Sequence, residues 1–162
     1  MAIEQILPYD WSVNISTSSH TDIYDYANAL TNVDSTTYGS YTAFSSTPSS
    51  YLLFRVSDLP QSITSAQFKI KARITSAMPC SICSTVQYNG TTYNSDAITA
   101  TAQTATLYDI QLPREVSLSN LKKASAIYIT ITPSSGAGLY VFGTELNIDT
   151  TVYKIFNMIL PR

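Results

Sequence analysis

Ala66-Gln67-Phe68-Lys69-Ile70-Lys71-Ala72-Arg73-Ile74 alternates without a break: every even position is apolar and every odd position between them is polar or charged. On a pleated strand successive side chains leave on opposite faces, so this stretch predicts a strand with one face in a core and Gln67, Lys69, Lys71 and Arg73 in water. One half-buried strand needs partners to cover it.

Those partners are found on both sides of it. Residues 51–56 place Leu52, Phe54 and Val56 on one face, with Tyr51, Leu53 and Arg55 on the other. Residues 82–88 read the same way and run into Asn89-Gly90, a pair that tolerates the positive φ of a tight hairpin turn; residues 91–93 begin the return strand. Residues 104–112 set Tyr108, Ile110 and Leu112 together before Pro113, which has no amide hydrogen for a ladder. Residues 126–132 put Ile127, Ile129 and Ile131 inward, Pro133-Ser134-Ser135-Gly136 turns, and 139–148 supplies an answering strand, so these two are expected to pair as a hairpin. Residues 116–123, with Leu118 and Leu121 three apart after a candidate N-cap at Ser117, predict one helical turn.

The first fifty residues are less regular. Residues 11–15 read as an opening strand, 16–48 as a long loop dense in Ser, Thr, Asn and Asp with a helical turn at 24–30, and 152–160 as a last strand or a segment packing on a neighbouring chain. About eight strands spaced near ten residues, with few or no helices, predict an all-β fold: an antiparallel β-sandwich of jelly-roll type, one domain over 1–162, with 1–10 and 151–162 as candidate partner-contacting segments.

Composition narrows the function. With 44% hydrophobic and 12% charged residues the chain has enough apolar surface to fold. Nine Lys plus Arg against eleven Asp plus Glu leave a net charge of −2, which gives no overall attraction to nucleic acid or anionic membranes. No run of 18 apolar residues and no secretion leader are read, so the Asn14-Ile15-Ser16 and Asn89-Gly90-Thr91 glycosylation patterns carry little weight.

Catalytic chemistry is sparsely provided. The sole histidine, His20, stands in a Ser/Thr-rich stretch beside Asp22 with no serine elbow, and is expected to be a surface loop residue. Carboxylates in two regions, Asp22, Asp25 and Asp34 in one and Glu145 and Asp149 in the other, offer a glycosidase pair or oxygens for calcium, but turn capping accounts for them without either. Cys80 and Cys83 form a Cys-Ser-Ile-Cys pair at a strand start, after Pro79, where a thioredoxin-like site would need a strand entering a helix. They are expected to be small half-buried thiols. No catalytic residue, cofactor or metal is assigned, and the protein is not expected to be an enzyme.

Surface chemistry points to binding. Lys69, Lys71 and Arg73, with Arg55 expected on the adjacent strand, would make a basic stripe that either keeps the sheet soluble or docks an acidic partner. Tyr24, Tyr26, Tyr38 and Tyr41, with Tyr51, add side chains of large contact area and polar tip.

Four stretches carry a resemblance: Asp34 to Tyr38, Tyr51 to Val56, Ile63 to Arg73, and Tyr140 to Leu146. Together they resemble the jelly-roll modules of tailed-bacteriophage virions, in head decoration and head-fibre proteins or tail-associated receptor-binding parts. The resemblance implies a virion accessory protein that binds capsid or tail proteins, and itself as a homo-oligomer such as a trimer, made in the host cytoplasm. Val152, Tyr153, Ile155 and Phe156 then join Arg55, Lys69, Lys71, Arg73 and the tyrosines as candidate contacts. The alternative is a carbohydrate-binding or host-receptor-binding module. Its weak point is the absence of an aromatic cluster that the sequence places in one groove.

Overall fold

The computed structural model describes residues 3–12, 33, 42–45, 49–74, 79–133 and 138–150. Among them run eleven strands: β1 (Ile3–Ile6), β2 (Asp10–Ser12), β3 (Thr42–Ser45), β4 (Ser50–Phe54), β5 (Ser65–Ile74), β6 (Cys80–Tyr88), β7 (Thr91–Asn94), β8 (Ile98–Ala100), β9 (Thr106–Ile110), β10 (Ala126–Pro133) and β11 (Gly138–Asp149). The helical content described is one turn, α1 (Leu118–Leu121), and a 3₁₀ turn at Val56–Asp58.

Every strand pairing is antiparallel, and the strands divide between two sheets. The first sheet runs β1-β11-β5-β9, with β3 on the same edge of β11 as β1; the second runs β2-β4-β10-β6-β7, with β8 beside β7 on β6. From β3 onward the chain crosses between sheets at nearly every step, staying in the second sheet only through β6, β7 and β8. That succession is the winding of a jelly roll. The fold class read from the sequence is the fold observed.

The core lies where the alternation sends it. Phe68, Ile70 and Ala72 from β5 face Leu52 and Phe54 of β4, Ile82 and Val86 of β6, and Ile127, Ile129 and Ile131 of β10. Phe54 and Phe68 meet edge-on across the sheets, ring centroids 5.1 Å apart. Each such side chain contributes roughly 1.5–3 kcal/mol by leaving water.

Three expectations are corrected. β10 and β11 do not form a hairpin: β10 pairs with β4 and β6, whereas β11 pairs with β1, β3 and β5. Both strands have an apolar face to bury, and placing them in opposite sheets lets those faces meet across the core. Arg55 is not next to the Lys69–Arg73 stripe, since it follows β4 in the second sheet while the stripe lies on β5 in the first. Val56 leaves the strand and opens the 3₁₀ turn, held by the Leu59 N–H donating to the Val56 carbonyl at 3.1 Å. The expected turn at 116–123 is present, with buried Leu121 as its anchor, but the Ser117 hydroxyl pairs with that of Ser119 rather than capping the helix.

β11 also contains a register shift between Val141 and Gly143. Before it the odd residues Leu139 and Val141 point inward; after it the even residues Leu146 and Ile148 do. The extra residue, Phe142, keeps both apolar sets on the core side and turns Glu145, Asn147 and Asp149 outward.

Candidate ligand-binding face

The outward faces of the two sheets differ in kind. On the first, register places Glu145, Lys69 and Asp109 in one row across β11, β5 and β9. Lys69 Nζ lies 3.5 Å from Asp109 Oδ1, and the Arg73 guanidinium stacks on the Tyr140 ring at 4.5 Å from its centroid. The predicted basic stripe is therefore interleaved with acids and an aromatic ring. Glu145 is wholly buried although it points away from the core, and its Oε1 accepts the Val33 backbone N–H at 3.1 Å. Val33 is itself buried, so it lies over this face.

Among the described residues the second sheet's outward face is almost uncharged. Successive outward positions on β4 are Tyr51 and Leu53; on β10 they are Ala126, Tyr128, Thr130 and Thr132; on β6 they are Ser81, Cys83, Thr85 and Gln87. Thr92, Asn94 and Thr99 continue it onto β7 and β8, and the charged side chain it includes, Asp10, stands on the edge strand β2.

Its centre is an ordered polar network on an aromatic base. Tyr51 meets Tyr128 edge-on, centroids 5.4 Å apart and planes at 88°. Gln87 Nε2 donates to the Tyr128 hydroxyl at 3.4 Å. Thr85 Oγ1 donates to Asn94 Oδ1 at 2.8 Å and lies 2.9 Å from Thr130 Oγ1. A hydroxyl has one proton, so Thr130 must be the donor to Thr85, and the relay runs Thr130 to Thr85 to Asn94. That fixes the Asn94 carbonyl inward on the network and leaves its two amide protons at an exposed residue. Burial pushes the Tyr128 hydroxyl pKa up, opposed by the Gln87 hydrogen bond; burial likewise raises the Cys83 thiol and outweighs the nearby Thr85 and Thr130 hydroxyls. Both groups are thus held protonated and neutral.

At one end of this face lies a hollow of about 210 Å³ lined by Tyr9, Leu53, Arg55, Ser57, Ser125 and Ala126 among others. Arg55 stacks over Tyr9 at 4.2 Å from the ring centroid.

The remaining candidates fall as follows. Cys80 points into the core and Cys83 outward, so they do not share a site, and neither is in a disulfide. Glu145 and Asp149 leave the same face four residues apart, about 13 Å along a strand, which exceeds the carboxylate spacing of either glycosidase geometry. Among the described residues no three His, Cys, Asp or Glu gather as metal ligands, and no helix is long and apolar enough to cross a membrane. His20, Asp22, Asp25, Asp34, Tyr24, Tyr26, Tyr38, Tyr41, Val152, Tyr153, Ile155 and Phe156 lie outside the described residues, as do the helical turn at 24–30, the Asn14-Ile15-Ser16 pattern and residues 151–162. Residues Ile3–Ile6 of the 1–10 segment pair with β11 inside the domain. The sequence reading passed over Tyr9, Gln87, Asn94 and Tyr128. Their signal was present: the polar positions of 80–88 and 126–133, unlike those of 65–74, contain no charge.

The geometry defines a jelly-roll sandwich with one charged and one neutral face. No family model and no curated protein matches the chain. Among solved structures it is similar to a family 16 carbohydrate-binding module, at 12% identity and TM-score 0.45 over 67% of this chain and 78% of the other. It is also similar to the CBM22-1 and GH10 modules of Clostridium thermocellum endo-1,4-β-D-xylanase 10B complexed with xylohexaose, at 14% identity and TM-score 0.49 over 80% of this chain. This chain spans 25% of that longer one. Both likenesses concern the fold, and the ligand is argued from the face itself.

Proposed function

We propose that this domain binds a neutral glycan along the outward face of the second sheet. The observation that supports the reading is the set of uncharged hydroxyls, amides and tyrosines that β4, β10, β6 and β7 present there in register. Soluble sheets ordinarily hold charges on a solvent face, which oppose association and keep the protein soluble. A face that forgoes them suits a partner with no charge of its own. Sugars offer that partner an apolar C–H face for the Tyr51 ring and hydroxyls for Gln87 and Asn94. The Thr130–Thr85–Asn94 relay and the Gln87–Tyr128 contact hold those groups in place before a ligand arrives, which lowers the ordering cost of binding.

The test is a glycan array with affinity electrophoresis through neutral polysaccharides. The wild-type chain should select a subset of neutral glycans, and Tyr51→Ala should weaken that binding about tenfold, as loss of one stacked ring implies. A flat array, with co-sedimentation on a virus particle instead, would favour assembly on capsid or tail proteins and end the glycan reading.

A further inference from the structure

We infer that the hollow at Tyr9 and Arg55 is a subsite for a carboxylate-bearing sugar at one end of the glycan face; this rests on the reading above and extends it. Leu53 and Ala126, outward residues of β4 and β10, line both the hollow and the face, so the two are continuous. At about 210 Å³ the hollow is smaller than the roughly 300 Å³ at which drug-sized pockets begin, a size for one ring and not a chain.

Its chemistry differs from the rest of the face in one respect. Arg55 is the charged side chain in its lining; Ser57 and Ser125 add hydroxyls, and Asp58, in the same 3₁₀ turn, is not part of the wall. No acid among the described residues forms an ion pair with Arg55. Both halves of the pair are anchored by backbone: the Tyr9 N–H donates to the Leu53 carbonyl at 2.8 Å, and the Asp58 N–H to the Arg55 carbonyl at 3.1 Å. A guanidinium whose carbon lies over a ring still has an edge with two parallel N–H donors to offer an acceptor. A carboxylate matches that edge with two hydrogen bonds. Tyr9, exposed beneath it, holds the guanidinium at the mouth of the hollow by that contact.

The experiment compares glycans ending in a uronic acid with their carboxyl-reduced counterparts, which keep the backbone and lose the charge, and adds sulfated glycans as a third arm. Wild type should hold the acid form about three- to tenfold more tightly than the reduced form, less so as salt rises. Arg55→Gln should abolish that ratio, chiefly through weaker binding of the acid form, and Arg55→Lys should restore it only in part. Equal binding of acid and reduced forms by wild type, or a ratio that survives Arg55→Gln, overturns the subsite. Sulfated glycans held as tightly as uronic ones overturn its carboxylate assignment. A ratio removed by Arg55→Gln, with binding of both forms insensitive to Tyr51→Ala, leaves the hollow standing and removes the face; Tyr51-dependent neutral binding without a ratio does the reverse.

Discussion

Cys80 and Cys83 stand three residues apart on one strand and point to opposite sides of the second sheet, Cys80 against the core and Cys83 among the outward threonines. The Cys-x-x-Cys spacing becomes a redox or metal motif only where the backbone turns and brings both thiols together. On a strand an odd spacing separates them. Thiol alkylation read by mass spectrometry should therefore modify Cys83 in the native protein and Cys80 only after unfolding, with no disulfide between them under oxidation. Addition at Cys83 should also block glycan binding, since Tyr51, Thr85 and Thr130 surround it.

Alkaline pH should destabilise the domain. Burial raises both the Cys83 thiol and the Tyr128 hydroxyl, so the folded chain holds these protons where the unfolded chain has released them. Their contribution is complete below the ordinary thiol range and declines as pH climbs through and past about 9. The Tm measured from pH 7 to 11 should fall over the upper half of that range. In a Cys83→Ala, Tyr128→Phe variant the fall should be shallower; an identical slope would refute the cause.

The core should be least forgiving at Phe68. It is fully buried on a central strand and touches Phe54 edge-on. Phe68→Ala should cost about 3–5 kcal/mol by chemical denaturation, whereas Leu107→Ala, at an exposed position on β9, should stay within about 0.5 kcal/mol.

Glu145 should act through its acceptor oxygen. Glu145→Ala leaves the buried Val33 N–H without a partner and should cost about 1–3 kcal/mol, with faster hydrogen exchange at Val33. Glu145→Gln keeps an oxygen for that amide and should retain its protection. Equal exchange in both variants would show that the bond is incidental.

The turn at Asn89-Gly90 isolates backbone strain from crowding. Their φ angles are 53° and 77°, and a Cβ on Gly90 would meet nothing within 4 Å. Gly90→Ala should thus cost about 1–2 kcal/mol from the left-handed backbone alone. A larger loss, by thermal unfolding, would mean that the hairpin register itself had slipped.

How far the sequence could be read follows from how each element is buried. β5 and β6 were legible because one face is buried and the other wet, so period two appears in the residues themselves, and Asn89-Gly90 marks a turn by its own chemistry. β1, β3 and β8 are edge strands of three or four residues, too short to show a period. β11 was recognised but its phase break was not: the apolar set moves from Leu139 and Val141 to Leu146 and Ile148, and that change of parity is the bulge. The partnership of β10 could not be read, because alternation says which side of a strand is buried and nothing about which sheet receives it. The candidate face was missed for a related reason. The charges and the tyrosines of 24–41 are the conspicuous residues of the sequence, while the informative feature is charge lacking from the outward positions of three adjacent strands.

The pairing of β1 with β11 sets Ile3 opposite Asp149. During synthesis neither sheet can close early: β10, which joins β4 to β6 in the second sheet, and β11, which every strand of the first sheet except β9 must touch, are the last two of the described strands to leave the ribosome. Until then β5 has only β9 beside it and its apolar side is uncovered. Closure is thus a single late event joining distant parts of the chain, the type of step that is slow and exposes nascent protein to aggregation and to chaperone capture.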